Sequence, residues 1–156
     1  MNNRFDLNMH DYIHQAEGKL FFNRQMFSTI APRYDFITRA LSFGQDMSWK
    51  NRLVNDLPDN KNAHCLDLAC GTGDITFLLA AKYPDGQITG IDITEEMLNL
   101  ARSRVTSHES RVTFQIDDMC RMNFPDASFD IVTGGYALRN APNLEQALLI
   151  HLSCRQ

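Results

Sequence analysis

Two periodicities of apolar and polar residues divide the chain. Residues 20–57 carry apolar positions at helical spacing, interrupted at Pro32, and end in a polar linker. From residue 63 onward, short apolar runs alternate with amphipathic stretches. The pattern predicts a helical extension at 20–57, a lid over any site beneath it, followed by an α/β domain at 63–156. Residues 1–19 are polar and are predicted to form a flexible tail.

Strands and helices alternate within the α/β domain. The predicted strands are 63–69, 88–93, 112–116 and 129–133, and helices are predicted over 74–83, after Thr94 as N-cap, and after Asn143. This order favours right-handed crossovers and a parallel sheet covered on both faces, as in a Rossmann-like fold. The first and fourth strands would flank the position at which such sheets bind ligands.

Composition narrows the class of protein. The chain has 156 residues, 44% of them hydrophobic and 22% charged, which suits one globular domain. A net charge of −4 without a basic cluster argues against nucleic acid as a partner. No apolar run is long enough to span a membrane and the four cysteines are scattered, so a cytoplasmic protein is expected. No set of metal ligands is apparent.

A glycine-rich turn follows the first predicted strand. Gly71 and Gly73 suit a tight strand-to-helix turn against which a ligand can lie, although Thr76 replaces the third glycine of the dinucleotide fingerprint. Asp92 ends the second strand 21 residues after Gly71, where a carboxylate can accept the hydroxyls of an adenosine ribose. An adenosine-containing ligand is therefore predicted. The spacing alone leaves NAD and S-adenosylmethionine open.

Two acidic residues bracket this turn. Asp67 lies within the first strand and Asp74 opens the following helix. We expect these carboxylates to repel a pyrophosphate and to attract the sulfonium and ammonium groups of S-adenosylmethionine. The sequence thus favours a methyl donor over a dinucleotide.

Five segments carry a more specific signal. They are MFSTIAPRYD at 26–35, LSFGQD at 41–46, DLACGTGD at 67–74, NFPDASFD at 123–130 and YALRN at 136–140. In this order they closely resemble the C-methyltransferases of menaquinone and ubiquinone biosynthesis, over about residues 22–149. The resemblance implies a class I S-adenosylmethionine-dependent enzyme that methylates a ring carbon of a prenylated hydroquinone. It is compatible with peripheral contact with a membrane through the lipid substrate, and with a homodimer.

The resemblance also implies roles for individual residues. Thr72 and Asp92 match donor-binding positions, Asp118 and Met119 match a pair that holds the adenine, and Gly135 stands where many members carry a donor-binding serine. With the turn residues, the predicted cofactor-binding set is Asp67, Gly71, Thr72, Gly73, Asp92, Asp118, Met119 and Gly135.

Three further residues are predicted to act on the acceptor. A ring carbon is a poor nucleophile unless its neighbouring hydroxyl is deprotonated, so the site needs a group that favours the phenolate. Arg139, whose charge is permanent, is the candidate for this role. Tyr34 and Asp35, in the helical extension, are candidates to orient the quinol or relay its proton.

The end of the chain departs from the family pattern. Members of the family continue beyond the region of Leu149 into three further strands, so the sheet is predicted to be incomplete after its fourth strand. We expect such a chain to be marginally folded, to self-associate through the edge at 129–133, and to have little methyltransferase activity. An NAD-dependent oxidoreductase domain and an inactive truncated remnant of the methyltransferase remain the alternative interpretations.

Overall fold

Four parallel strands form the centre of the protein. The computed structural model describes residues 16–106 and 111–135, together with positions 141, 143, 145, 149 and 153. Its strands are β1 (Cys65–Leu68), β2 (Ile88–Asp92), β3 (Val112–Ile116) and β4 (Ile131–Thr133). They are ordered β3-β2-β1-β4. The order reverses between β1 and β4, as the Rossmann-like prediction required, and this prediction is confirmed.

Apolar side chains on both faces of the sheet hold its covering layers. Two of the helices that cover the sheet are described in full, α4 (Asp74–Lys82) and α5 (Glu95–Ser103). The buried apolar side chains form two clusters. From β1, Leu66 and Leu68 pack in one cluster and Cys65 packs in the other, because side chains along a strand alternate between the two faces of the sheet. Burial on both faces explains why β1 reads as an almost unbroken apolar run.

The helical extension contains three α-helices. These are α1 (Ala16–Ile30), α2 (Tyr34–Leu41) and α3 (Asp46–Asn55), with a 3-10 turn at Ala31–Arg33. Residues 16–19 are helical, so the helical part of the structure starts before residue 20, the start predicted for the extension, and residues 1–15 of the predicted tail lie outside the described residues. Tertiary contact holds this first turn, since Lys19 Nζ donates to Ala141 O at 2.8 Å. Among the described residues, none of the helices has the length and apolar character needed to cross a bilayer.

The structure also differs from the sequence predictions in strand boundaries and in one helix cap. β4 begins at Ile131 rather than at residue 129. Thr94 occupies the N-cap position of α5, but its hydroxyl makes no capping hydrogen bond, so the predicted side-chain cap is wrong. The Asp92 carboxylate instead accepts the Thr94 backbone N–H at 2.9 Å. Most of the predicted helix after Asn143 lies outside the described residues.

The stability of the sheet depends on the apolar face of α4, which shortening one of its side chains can test. Leu79 is fully buried, whereas Leu100 on α5 is 36% exposed. We expect Leu79→Ala to lower the free energy of unfolding by about 2–5 kcal/mol, because it removes buried methyl groups and leaves a cavity. The matched Leu100→Ala variant should lose about 1 kcal/mol or less. Urea unfolding measures both, and equal losses would contradict this packing.

Candidate functional site

A cleft opens between the helical extension and the carboxyl ends of β1 and β4. The extension contributes Tyr34, Thr38 and Lys50 to its walls. The sheet side contributes Asp67, the turn at 69–72, Asp74 and Ile75, and Gly135 after β4. The cleft thus lies at the switch point of the sheet, where open α/β folds bind ligands.

The glycine-rich turn forms the floor of this cleft. Gly73 adopts φ +89°, and a Cβ there would lie 3.0 Å from Phe77 and 3.1 Å from Phe114. Glycine is therefore required both by conformation and by space. Gly71 also has a positive φ of +56°, and its bare backbone faces the Tyr34 ring, which would be 3.9 Å from a Cβ at this position.

Asp92 ties the turn to the end of β2. One carboxylate oxygen accepts the Gly71 backbone N–H and the other accepts the Thr94 backbone N–H, each at 2.9 Å. Burial raises the pKa of Asp92 above its usual value, although these hydrogen bonds act in the opposite direction. Each oxygen retains lone pairs that can accept a ligand hydroxyl. Asp92 thus lies beside the turn, as its predicted role requires.

Asp67 is a fully buried carboxylate beneath the turn. It accepts hydrogen bonds from the Thr76 hydroxyl at 2.7 Å and from the Thr133 hydroxyl at 3.0 Å. Burial raises the pKa of Asp67 to about 6, even though both hydroxyls favour the ionised form. Thr76, at the position of the absent third glycine, therefore supports this acid.

Asp74 does not present a free negative charge to the cleft. Lys50 Nζ lies 2.8 Å from one oxygen and Arg104 Nη1 lies 2.8 Å from the other. Burial opposes ionisation, but the hydrogen bonds and charges of Lys50 and Arg104 lower the pKa of Asp74 below its usual value. The expectation that Asp74 repels a pyrophosphate is wrong, because its charge is compensated. For Asp67, repulsion of a pyrophosphate stays a prediction.

The helical extension contacts the turn directly. Thr72 Oγ1 donates to Asp35 Oδ1 at 2.8 Å, and the Tyr34 ring packs edge-on against Phe27 with centroids 6.0 Å apart. Tyr34 lines the cleft, which suits its predicted role. Asp35 binds the turn in this structure, and its action on an acceptor stays a prediction.

The remaining predicted residues occupy different positions around the turn. Asp117 N donates to Asp92 O at 3.1 Å, which brings the next residue, Asp118, close to β2. Asp118 accepts the Cys120 backbone N–H at 2.9 Å. Met119 is buried in the apolar cluster with Leu66. Their contact with an adenine stays a prediction, and Arg139 lies outside the described residues.

Sequence reasoning missed three polar residues of the site. Lys50 comes from α3 and Arg104 directly follows α5, both far from the turn in sequence, and no functional motif marks them. Arg104 also donates to Thr72 O at 2.8 Å, so it fixes the turn from behind. Thr133 supports Asp67 across the β1–β4 pair. The one available signal was the Asp46-to-Lys50 spacing, which places opposite charges on one helix face.

Comparison with known proteins identifies relatives over most of the chain. Ubiquinone/menaquinone biosynthesis C-methyltransferase UbiE of Geotalea daltonii is 41% identical over 128 residues, covering 80% of this chain and 54% of the relative. Demethylmenaquinone methyltransferase of Thermus thermophilus is 40% identical, covering 79% of this chain and 56% of the relative. The chain therefore spans about half the length of the curated relatives it matches.

Solved structures share the fold. An S-adenosylmethionine-dependent methyltransferase from Aquifex aeolicus superposes with a TM-score of 0.62 at 17% identity, covering 69% of this chain and 58% of that one. Phosphoethanolamine N-methyltransferase 1 from Haemonchus contortus, solved with phosphoethanolamine and S-adenosylhomocysteine, superposes with a TM-score of 0.63 at 21% identity. The match covers 77% of this chain and 26% of that one. These likenesses confirm the class I methyltransferase fold.

The sequence also matches a whole family of proteins over residues 15–152, which is nearly its entire length. The motifs that carried the resemblance lie within this match. The chain belongs to the ubiE/COQ5 methyltransferase family.

Proposed function

We propose that the protein is an S-adenosylmethionine-dependent methyltransferase that modifies a ring carbon of a prenylated hydroquinone. The observation that carries the proposal is the arrangement around the glycine-rich turn. One buried carboxylate, Asp67, lies beneath the turn in the cleft, and a second, Asp92, lies beside it. An adenosine ribose and a cationic sulfonium group need acids at two such places. The names of the relatives support the quinol substrate.

The residues of the site have distinct tasks toward such a donor. Asp92 can accept the ribose hydroxyls, and the bare backbone of Gly71 admits the nucleoside close to the turn. Asp67 lowers the free energy of a cation in the cleft. When bound, the donor supplies an electrophilic methyl group and leaves as a neutral thioether.

The acceptor needs activation and alignment. Arg139 is proposed to hold the phenolate, because a permanent positive charge favours the deprotonated hydroxyl. Tyr34 lines the cleft and is proposed to orient the ring. Asp35 is proposed to relay the proton, a role that would require it to release Thr72. Fixing the ring carbon in line with the methyl group supplies much of the rate acceleration.

The outer surface of α2 suits a lipid-like acceptor. Its polar side chains Tyr34 and Thr38 line the cleft, whereas Phe36 is 76% exposed and Phe43, just beyond the helix, is 92% exposed. Residues 16–57 contain six basic and four acidic side chains, giving a local charge of +2 in a chain of −4. Exposed aromatic residues near basic side chains favour the surface of an anionic bilayer. We propose that this surface contacts the membrane that holds the prenyl chain.

Replacing Phe43 by serine tests the membrane contact. We expect Phe43→Ser to reduce co-sedimentation with phosphatidylglycerol vesicles about tenfold, since inserting a phenyl ring gains roughly 1.5–3 kcal/mol. Leu100→Ser, an exposed apolar residue on α5, serves as the control and should bind as the parent chain does. Equal binding by all three proteins would contradict the proposed contact.

Isothermal titration of the chain with S-adenosylhomocysteine and with NAD tests the proposed function. We expect S-adenosylhomocysteine to bind at least tenfold more tightly than NAD. Tighter binding of NAD would support the oxidoreductase alternative instead. Binding of neither nucleotide by folded protein would contradict a working donor site and would support the inactive-remnant alternative.

A further inference from the structure

The cleft at the glycine-rich turn is too small for a nucleoside. It encloses about 40 Å³, which holds at most a few water molecules. Asp92, the proposed partner of the ribose, is only 8% exposed and does not belong to the described residues that line the cleft. A donor therefore reaches this site only after part of the structure moves aside.

The first turn of α2 lies over the glycine-rich turn. The Tyr34 ring faces Gly71, and its Cε1 would be 3.9 Å from a Cβ at that position. Such a distance is van der Waals contact, so no nucleoside fits between the ring and the turn. Beside Tyr34, Asp35 Oδ1 accepts a hydrogen bond from Thr72 Oγ1 at 2.8 Å. These two neighbouring residues of α2 therefore cover the surface on which the nucleoside is proposed to rest.

Little apolar packing holds α2 in this position. None of its eight residues is buried, whereas α4 and α5 each bury several side chains. A 3-10 turn precedes α2, and Phe43 and Gly44 form a tight turn after it, with φ of +51° and +78°. An element with so little buried surface can open at a low cost in free energy. The polar contacts of α2 therefore have a large share in keeping it closed.

The glycine-rich turn, on the other side of this contact, is held firmly. Thr72 is 4% exposed, and Arg104 Nη1 donates to its carbonyl oxygen at 2.8 Å. The same Arg104 nitrogen lies 2.8 Å from Asp74, and the Gly71 backbone N–H donates to Asp92. Because the turn is fixed from behind, the Thr72–Asp35 hydrogen bond breaks by movement of α2.

We infer that the Thr72–Asp35 hydrogen bond holds α2 closed over the donor site, and that the donor binds only after this bond breaks. The inference rests on the proposed function and adds to it a control of donor entry. The measured affinity for the donor is then the intrinsic affinity reduced by the fraction of molecules that are open. The same movement frees the Asp35 carboxylate, so the proposed proton relay becomes available only when the donor is bound.

Removing the Asp35 carboxylate tests the inference, because this change should tighten donor binding. We expect Asp35→Ala to increase the affinity for S-adenosylhomocysteine about three- to tenfold, since open molecules become more frequent. The gain should appear in the association rate, with the dissociation rate within about twofold of the parent, because the bond is already broken in the complex. Surface plasmon resonance measures both rates. Asp56→Ala, at an exposed position at the end of α3, is the matched control and should bind as the parent chain does.

A double-mutant cycle shows whether the effect of Asp35 depends on Thr72. Thr72→Val removes the hydrogen bond, so in this background Asp35→Ala should change the affinity by less than about twofold. Asp35→Asn keeps an oxygen that can accept from Thr72, and its affinity should lie between those of the parent and Asp35→Ala. Thermal unfolding confirms that each variant is folded. An equal gain from Asp35→Ala in both backgrounds would overturn the inference.

Hydrogen exchange without any ligand separates this inference from the proposed function. We expect the backbone amides of residues 34–41 to exchange faster in Asp35→Ala than in the parent chain. Unchanged exchange there would overturn the inference, whatever the donor does. If neither protein binds S-adenosylhomocysteine, the proposed function fails, and faster exchange would still support the closing contact. Weaker binding with faster dissociation in Asp35→Ala would also overturn the inference, since it would show that α2 retains a bound donor rather than blocking its entry.

Discussion

Asparagine in place of Asp67 is expected to gain stability relative to the parent chain as the pH rises from 4 to 7, and to weaken donor binding. Burial raises the pKa of Asp67 from 3.8 to about 6, so the folded state binds the proton more tightly than the unfolded state. The stability that this proton supplies is fully present below pH 3.8 and is lost as pH rises to about 6. Asparagine remains neutral, so the free energy of unfolding of the variant does not fall for this reason as the pH rises.

The size of the effect follows from the shift. Two pKa units correspond to on the order of 3 kcal/mol, so the free energy of unfolding of Asp67→Asn relative to the parent should rise by about that amount between pH 4 and pH 7. The Thr76 and Thr133 hydroxyls can donate or accept, and therefore can also satisfy an amide. Urea unfolding at the two pH values measures the change.

Donor binding should move in the opposite direction. An amide cannot compensate an ammonium or sulfonium group, so we expect the affinity for S-adenosylmethionine to fall at least tenfold in Asp67→Asn. Asp85→Asn, in an exposed turn, is the control for both measurements. A variant that is less stable at pH 7 than at pH 4, relative to the parent, would contradict the buried charge. Unchanged donor affinity would remove Asp67 from the binding site.

Asp92→Asn is expected to have the larger effect on nucleoside affinity. The carboxylate of Asp92 accepts two backbone N–H groups, from Gly71 and Thr94, and asparagine offers only one acceptor oxygen. Its amide N–H would face a backbone N–H, which leaves a buried donor unpaired at a cost of about 1–3 kcal/mol. Charge-assisted hydrogen bonds to the ribose hydroxyls are lost as well. The lost hydrogen bonds to the ribose hydroxyls should weaken binding of S-adenosylhomocysteine by roughly 30-fold or more, whereas the unpaired donor should lower the free energy of unfolding.

A ribose analogue separates the two contributions. If Asp92 binds the ribose, a 2′,3′-dideoxy analogue of S-adenosylhomocysteine should bind weakly to the parent chain and lose little further affinity in Asp92→Asn. Calorimetry of both ligands with both proteins completes the cycle. Equal losses for the two ligands would show that Asp92 supports the turn without contacting the ribose.

Local patterns were sufficient to predict much of the fold. The strand β1 is buried on both faces and ends in a turn that needs Gly73. An apolar run followed by glycines therefore predicts both the strand and the turn. The reversal of strand order between β1 and β4 followed from the alternation of strands and helices. The start of α1 could not be predicted from local patterns, because its first turn is polar and Lys19 in this turn contacts Ala141, a residue distant in sequence.

The electrostatics of the site could not be predicted from neighbouring residues. Asp74 was interpreted as a repulsive charge, but Lys50, 24 positions earlier, and Arg104, 30 positions later, compensate it in the fold. Thr76 interrupts the glycine motif of the sequence, and in the fold its hydroxyl donates a hydrogen bond to Asp67. Such contacts join residues that are far apart in sequence, so no local spacing in a single sequence predicts them.

A crystal structure of the chain with S-adenosylhomocysteine tests the central claim most directly. We predict that the ribose hydroxyls will lie within hydrogen-bond distance of Asp92 and that the nucleoside will rest on Gly71. The amino-acid end should enter the cleft lined by Asp67. A nucleoside bound away from the glycine-rich turn, or one that reaches it in the reverse direction with its ribose far from Asp92, would contradict the account.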